Sequence, residues 1–193
     1  MKKNLRALVL GALMVALATV LSFVSIKMPA WSFGGSITLG SMVPLILFAI
    51  LCGSRWGLLA STAYGLIQML LSFYAPPAKT VLAFFLVIML DYIIAFGAMG
   101  FAGWFNNLFA KLRFPASLSA VCAAALCVIL RFICHFLSGI LVWQAYAPED
   151  MPVWLYSFVY NGGYMAGELI ITCVIVLFLY PALKKILKTQ HQI

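Results

Sequence analysis

Residues 115–143 read PASLSAVCAAALCVILRFICHFLSGILVW, and this stretch decides the fold. It opens on a proline, closes on a tryptophan and carries a single charge, Arg131. As a helix rising about 1.5 Å per residue, the run exceeds the roughly 30 Å hydrocarbon core of a bilayer. A helix packed on a water-facing surface would show a charged side opposite its apolar stripe, and this one has none. The stretch predicts a transmembrane helix.

Comparable runs fill the chain at residues 7–26, 37–52, 57–74, 81–104 and 153–183. Hydrophobic residues make up 66% of the 193 and charged residues 8%, with a mean hydropathy of +1.13. Soluble domains carry about 25% charged residues, and a body of this size cannot hide so much apolar surface inside itself. A soluble enzyme, a disordered chain and a nucleic-acid module are excluded. The reading is an all-α membrane protein: one six-helix transmembrane domain over residues 1–193, in contact with lipid and not with nucleic acid. The run at 7–26 has the length of a span rather than of a cleavable signal core. The helical periods exclude a barrel.

Charge sets the direction of threading. Twelve Lys and Arg stand against four Asp and Glu, for a net +8, and nearly all lie between the apolar runs. With six crossings, Lys2, Lys3, Arg6, Arg55, Lys111, Arg113, Lys184, Lys185 and Lys188 share one side. Lys27 and Lys79 face the other side, with Glu149 and Asp150. The positive-inside rule then predicts that the N- and C-termini are both cytoplasmic. The five cysteines form no CxxC pair and read as small apolar packing residues.

Four ionisable side chains fall inside spans: Asp91, Arg131, His135 and Glu168. Charges at such depth are costly and mark ligand or ion paths by default. Counting residues from the outer loops brings Asp91, His135, Trp143, Tyr156 and Asn161 together in the outer half. Arg131 and Glu168 fall deeper, where they can neutralise each other. Arg131, His135, Gly139 and Trp143 recur four apart and share one broad helical face. Gly139 either admits a ligand to the backbone or, with Ser138, lets two helices pack closely. A carboxylate beside an aromatic cluster suits an organic cation. There is no HExxH, GxSxG or Walker motif, so no catalytic set, metal site or ATP site is expected in the chain itself.

The strings LRFICHFLSG at 130–139, Trp143, and WLYSFVYNG at 154–162 resemble the thiamine-specific S components of energy-coupling factor (ECF) transporters. LDYIIAF at 90–96 and SITLGSMVP at 36–44 are similar to that family too. The resemblance implies a bacterial cell-membrane subunit, not an enzyme, for vitamin B1 uptake. It would capture thiamine from outside without a cofactor of its own. It would deliver the vitamin together with an ECF transmembrane coupling subunit and two ATP-binding subunits, which use the ATP. Carried over residue by residue, it implies thiamine contacts at Asp91, Tyr92, His135, Gly139, Trp143, Tyr156 and Asn161, with Tyr74 beside them. Trp31 or Phe33 in the first loop takes the place of the family's lid aromatic. The ALMVA segment at 12–16 resembles the family's coupling-subunit contact, through Ala12 and Ala16.

Two rival functions stand beside this one. An S component for another cationic or heterocyclic vitamin would keep the architecture and change the pocket. An ion-coupled secondary carrier would use Asp91 or Glu168 for protons or sodium, although no inverted repeat is evident.

Overall fold

The computed structural model describes residues 2–27 and 35–190, with side chains over 4–27 and 35–185. The helical segments are α1 Lys2–Phe23, α2 Val43–Cys52, α3 Ser54–Leu71, α4 Val81–Lys111, α5 Ala116–Leu141 and α6 Val153–Gln190. Among them α1, α4, α5 and α6 are each long and apolar enough to cross a membrane.

Four expected boundaries are corrected. The second apolar run is helical only over the ten residues of α2, about 15 Å of rise. Residues Ile37–Thr38 instead form a strand, β2, paired antiparallel with β1, Ser25–Ile26. The first run accordingly stops being helical at Phe23, not at residue 26. The physical reason lies in the local residues: Gly40 adopts φ +74°, and Pro44 sits in the first turn of α2. The proline has no N–H to extend a helix backwards. At the other end of the chain, α4 continues to Lys111 and α6 to Gln190. Segments read as cytoplasmic loop and tail are therefore still helical. Arg113, at φ 65°, follows the end of α4.

Helix α2 sits at the centre, with every residue from Val43 to Ala49 buried. A short helix that is apolar all round belongs inside a bundle. Met42, Leu45, Ile46 and Phe48 form the core with Tyr64 of α3, Met99 of α4, Val128 of α5 and Val176 of α6. Helix α1 packs on the outside and leaves Leu5, Leu8, Leu13, Leu17 and Val20 exposed. Non-helical backbone at membrane depth is tolerated where it is buried in protein or lines a cavity. The β1–β2 ladder does the latter.

Helix α4 departs from α-geometry twice. Over Ile88–Ile93 it widens to a π-turn, and the Ile94 N–H bonds the Met89 carbonyl five residues back. Over Ala98–Phe101 it tightens to a 3₁₀ turn. There Gly100 rests on the backbone of α3: a Cβ would stand 2.5 Å from Leu58 Cα and 2.8 Å from Gly57 C. Only glycine permits that approach. The π-turn holds Asp91, and such turns often re-aim a functional side chain.

Candidate functional site

The described residues line a partly open cavity of about 370 Å³. Its wall is built by the end of α1, the two strands, and α3 to α6. Eight of the nine side chains predicted to bind line it: Asp91, Tyr92, His135, Gly139, Trp143, Tyr156, Asn161 and Tyr74. The ninth, Trp31, lies outside the described residues, as does Phe33. Ala12 and Ala16 are exposed on α1 and take no part in the lining.

Asp91 is held from three sides. Its Oδ1 is 3.0 Å from His135 Nδ1, Ser138 Oγ donates to Oδ2 at 2.7 Å, and Trp143 Nε1 donates to Oδ2 at 3.1 Å. Helix α5 presents His135, the turn just past its C-terminus presents Trp143, whose backbone N–H bonds the Ser138 carbonyl, and the π-turn carries the carboxylate to both. Arg131, one turn before His135, donates from Nε to His135 Nε2 at 3.2 Å. Its guanidinium lies 4.3 Å over the Phe96 ring, and Nη1 reaches Met42 Sδ at 3.1 Å.

Tyr92 and Asn161 do more framing than the sequence suggests. The Tyr92 hydroxyl donates to the Ser72 carbonyl at 2.6 Å and accepts the Tyr74 N–H at 3.2 Å. It thereby pins the end of α3 to α4. The Asn161 amide donates to the Ser157 carbonyl at 3.0 Å and to the His135 carbonyl at 3.3 Å. Its oxygen accepts from the Tyr164 hydroxyl at 2.8 Å. Asn161 thus ties α5 to α6 at the wall. Gly139 serves both of the uses open to it in sequence. It lines the cavity, and a Cβ there would stand 2.8 Å from Ser157 Cβ and 3.1 Å from Asn161 Nδ2.

Aromatic faces complete the wall. Trp143 and Tyr146 stack at 6.0 Å between centroids, and Tyr156 meets Tyr160 at 5.7 Å. The other described tryptophans, Trp56, Trp104 and Trp154, are absent from the lining, and Trp104 and Trp154 are exposed.

The expected Arg131–Glu168 pair does not form. His135, not Glu168, lies between Arg131 and the nearest carboxylate, Asp91. Glu168 instead accepts at Oε1 from the Thr38 N–H at 2.6 Å and the Thr38 hydroxyl at 2.8 Å. The reason is backbone chemistry: the non-helical segment before α2 turns the Thr38 N–H toward the cavity wall, and the Glu168 carboxylate satisfies it. Both side chains were read as lying below the pocket, yet both line it.

Sequence reasoning also passed over Tyr160 and Tyr164. A signal was present. Tyr156, Tyr160, Tyr164 and Glu168 recur four apart along α6, the same spacing that marked α5.

Known proteins resemble this chain over nearly its whole length. Residues 8–188 match the family described as thiamine transporter protein (Thia_YuaJ). The thiamine transporter ThiT of Bacillus subtilis is 30% identical over 195 residues, covering 97% of each chain. ThiT of Lacticaseibacillus paracasei is 32% identical over 93 residues, 46% of each chain. The solved structure of ThiT from Listeria monocytogenes superposes with a TM-score of 0.74 at 26% identity, over 95% of this chain and 97% of that one.

Proposed function

The chain belongs to the thiamine transporter protein family, a family of bacterial multi-pass membrane transport proteins, and on that premise we propose that it is a thiamine-binding S component. It captures thiamine in the cavity bounded by Asp91, His135, Trp143, Tyr156 and Asn161. It then hands the vitamin to an ECF coupling subunit driven by two ATP-binding subunits. Residues 1–193 act as one six-crossing domain with both termini in the cytoplasm. The distribution of Lys and Arg between the apolar runs supports that threading.

One observation carries the reading. A cavity of about 370 Å³ joins a hydrogen-bonded acid, Asp91, to a stacked pair, Trp143 and Tyr146, and a tilted pair, Tyr156 and Tyr160. Ligand pockets begin at about 300 Å³, and a few convergent polar groups in an apolar wall give them specificity. Thiamine has a cationic thiazolium ring and an aminopyrimidine. The first suits π-faces and negative charge, and the second suits donors and acceptors held in a plane.

The test is a titration of the purified chain with thiamine, its phosphates, riboflavin and biotin, followed by uptake into vesicles with and without the coupling module and ATP. Tight thiamine binding with ATP-dependent uptake supports the proposal. Thiamine entry driven by an ion gradient in the chain alone replaces it with a secondary carrier.

A further inference from the structure

The cavity contains two carboxylates, and their surroundings differ. Asp91 belongs to a closed row. Arg131 Nε donates to His135 Nε2 at 3.2 Å, and arginine has no acceptor to offer in return. His135 Nε2 therefore bears no proton, so the ring's hydrogen is on Nδ1 and is donated to Asp91 Oδ1 at 3.0 Å. The imidazole is neutral, and the positive Arg131 and negative Asp91 cancel through it. Ser138 and Trp143 occupy the second oxygen of Asp91.

Glu168 is what remains. It is 1% exposed and lines the same cavity. Its Oε1 accepts from Thr38 only, through a neutral amide and a neutral hydroxyl. Its Oε2 has no hydrogen-bond partner, and no ion pair reaches either oxygen among the described residues. Lys27 also lines the cavity, but it is exposed at the end of β1, where water and salt screen it. Arg131 acts on Glu168 only through space, beyond ion-pair distance, and its charge is shared with Asp91; a buried carboxylate so poorly compensated is disfavoured, and an entering cation relieves that penalty.

We propose that Glu168, rather than Asp91, supplies the uncompensated negative charge of the cavity and selects a cationic ligand. The proposal rests on the thiamine reading, because one excess negative charge matches one thiazolium. The Arg131–His135–Asp91 row then acts as a neutral hydrogen-bonding frame.

The experiment compares thiamine with its isostere bearing a neutral thiophene in place of the thiazolium, titrated into the purified full chain. Wild type is expected to prefer thiamine. Glu168→Gln keeps a carbonyl for Thr38 and removes the charge. It should weaken thiamine roughly tenfold to a hundredfold while leaving the neutral isostere unchanged, so the preference collapses. The double variant Asp91→Asn with Arg131→Gln removes both ends of the balanced row. It should weaken both ligands and keep the preference. If Glu168→Gln retains the preference, or weakens both ligands equally, Glu168 only clasps Thr38 and the proposal is overturned. If wild type binds neither ligand, the thiamine reading fails and takes this inference with it.

Discussion

Helices α1 and α5 are similarly apolar, and each carries a row of residues four apart, yet the bundle uses them in opposite ways. On α5 the row Arg131, His135, Gly139 continues to Trp143 and faces the cavity. On α1 the row Ala12, Ala16 is exposed among Leu8, Leu13, Leu17 and Val20. A four-residue repeat identifies a face in both cases. What turns the face inward is the cost of leaving polar groups in lipid, which α5 has and the α1 row lacks. A small-residue row left outside instead permits another helix to approach closely.

The most severe test of this contrast is on α1. Ala12→Trp or Ala16→Trp is expected to reduce ATP-driven uptake to background and to abolish co-purification with the coupling subunit. Thiamine affinity should stay near wild type, because neither residue touches the cavity. Transport that persists in both variants would move the coupling surface elsewhere, and lost binding would mean that the row packs within the chain.

At the cavity face, where α4 brings Asp91 to the α5 row, the expected losses are in binding. Asp91→Asn should weaken thiamine by about 1.5–3 kcal/mol, the scale of a charge-assisted hydrogen bond, in a protein that still folds. The variant leaves Arg131 without its balancing charge, so adding Arg131→Gln should recover part of the loss. Calorimetric titration of the two variants reads this directly. An unchanged affinity in folded Asp91→Asn would remove the row from the site.

Gly139→Ala probes the packing half of the same face. The added methyl meets Ser157 and Asn161, and overpacking of this kind costs about 1–3 kcal/mol. The thermal midpoint in detergent should fall, and so should affinity. A midpoint equal to wild type would show that α5 and α6 part without penalty.

How much of this could be read in advance follows the physics of each signal. The apolar runs were legible because lipid demands length and apolarity together, and 115–143 has both. The meeting of Asp91, His135 and Trp143 was legible from depth and helical spacing. The β1–β2 ladder was not, since two-residue strands have no period, and Ile37 and Thr38 read as the start of a helix. The π-turn at Ile88–Ile93 was equally silent, because it changes the hydrogen-bond register and not the composition. The partners of Arg131 and Glu168 depended on both. Once the chain before α2 unwinds, Thr38 needs an acceptor, and Glu168 is drawn to it and away from Arg131.

The smallest effect, and the most local, separates the tryptophans. Trp143 lines the cavity, stacks on Tyr146 and donates to Asp91, whereas Trp104 is exposed and lies outside the lining. A cation over an aromatic face contributes about 0.5–2 kcal/mol. Trp143→Phe keeps a face and loses the donor, so affinity should fall by no more than that range. The fluorescence change on adding thiamine should fall far more, because Trp143 is the tryptophan that lines the cavity among the described residues. Trp104→Phe should leave both untouched. The discriminating outcome is a signal that disappears with Trp104 and survives Trp143→Phe, for it would place the ligand outside the wall formed by α5 and α6. Full signal in both variants would point instead to Trp31, whose first-loop position lies beyond the described residues, as the reporting side chain.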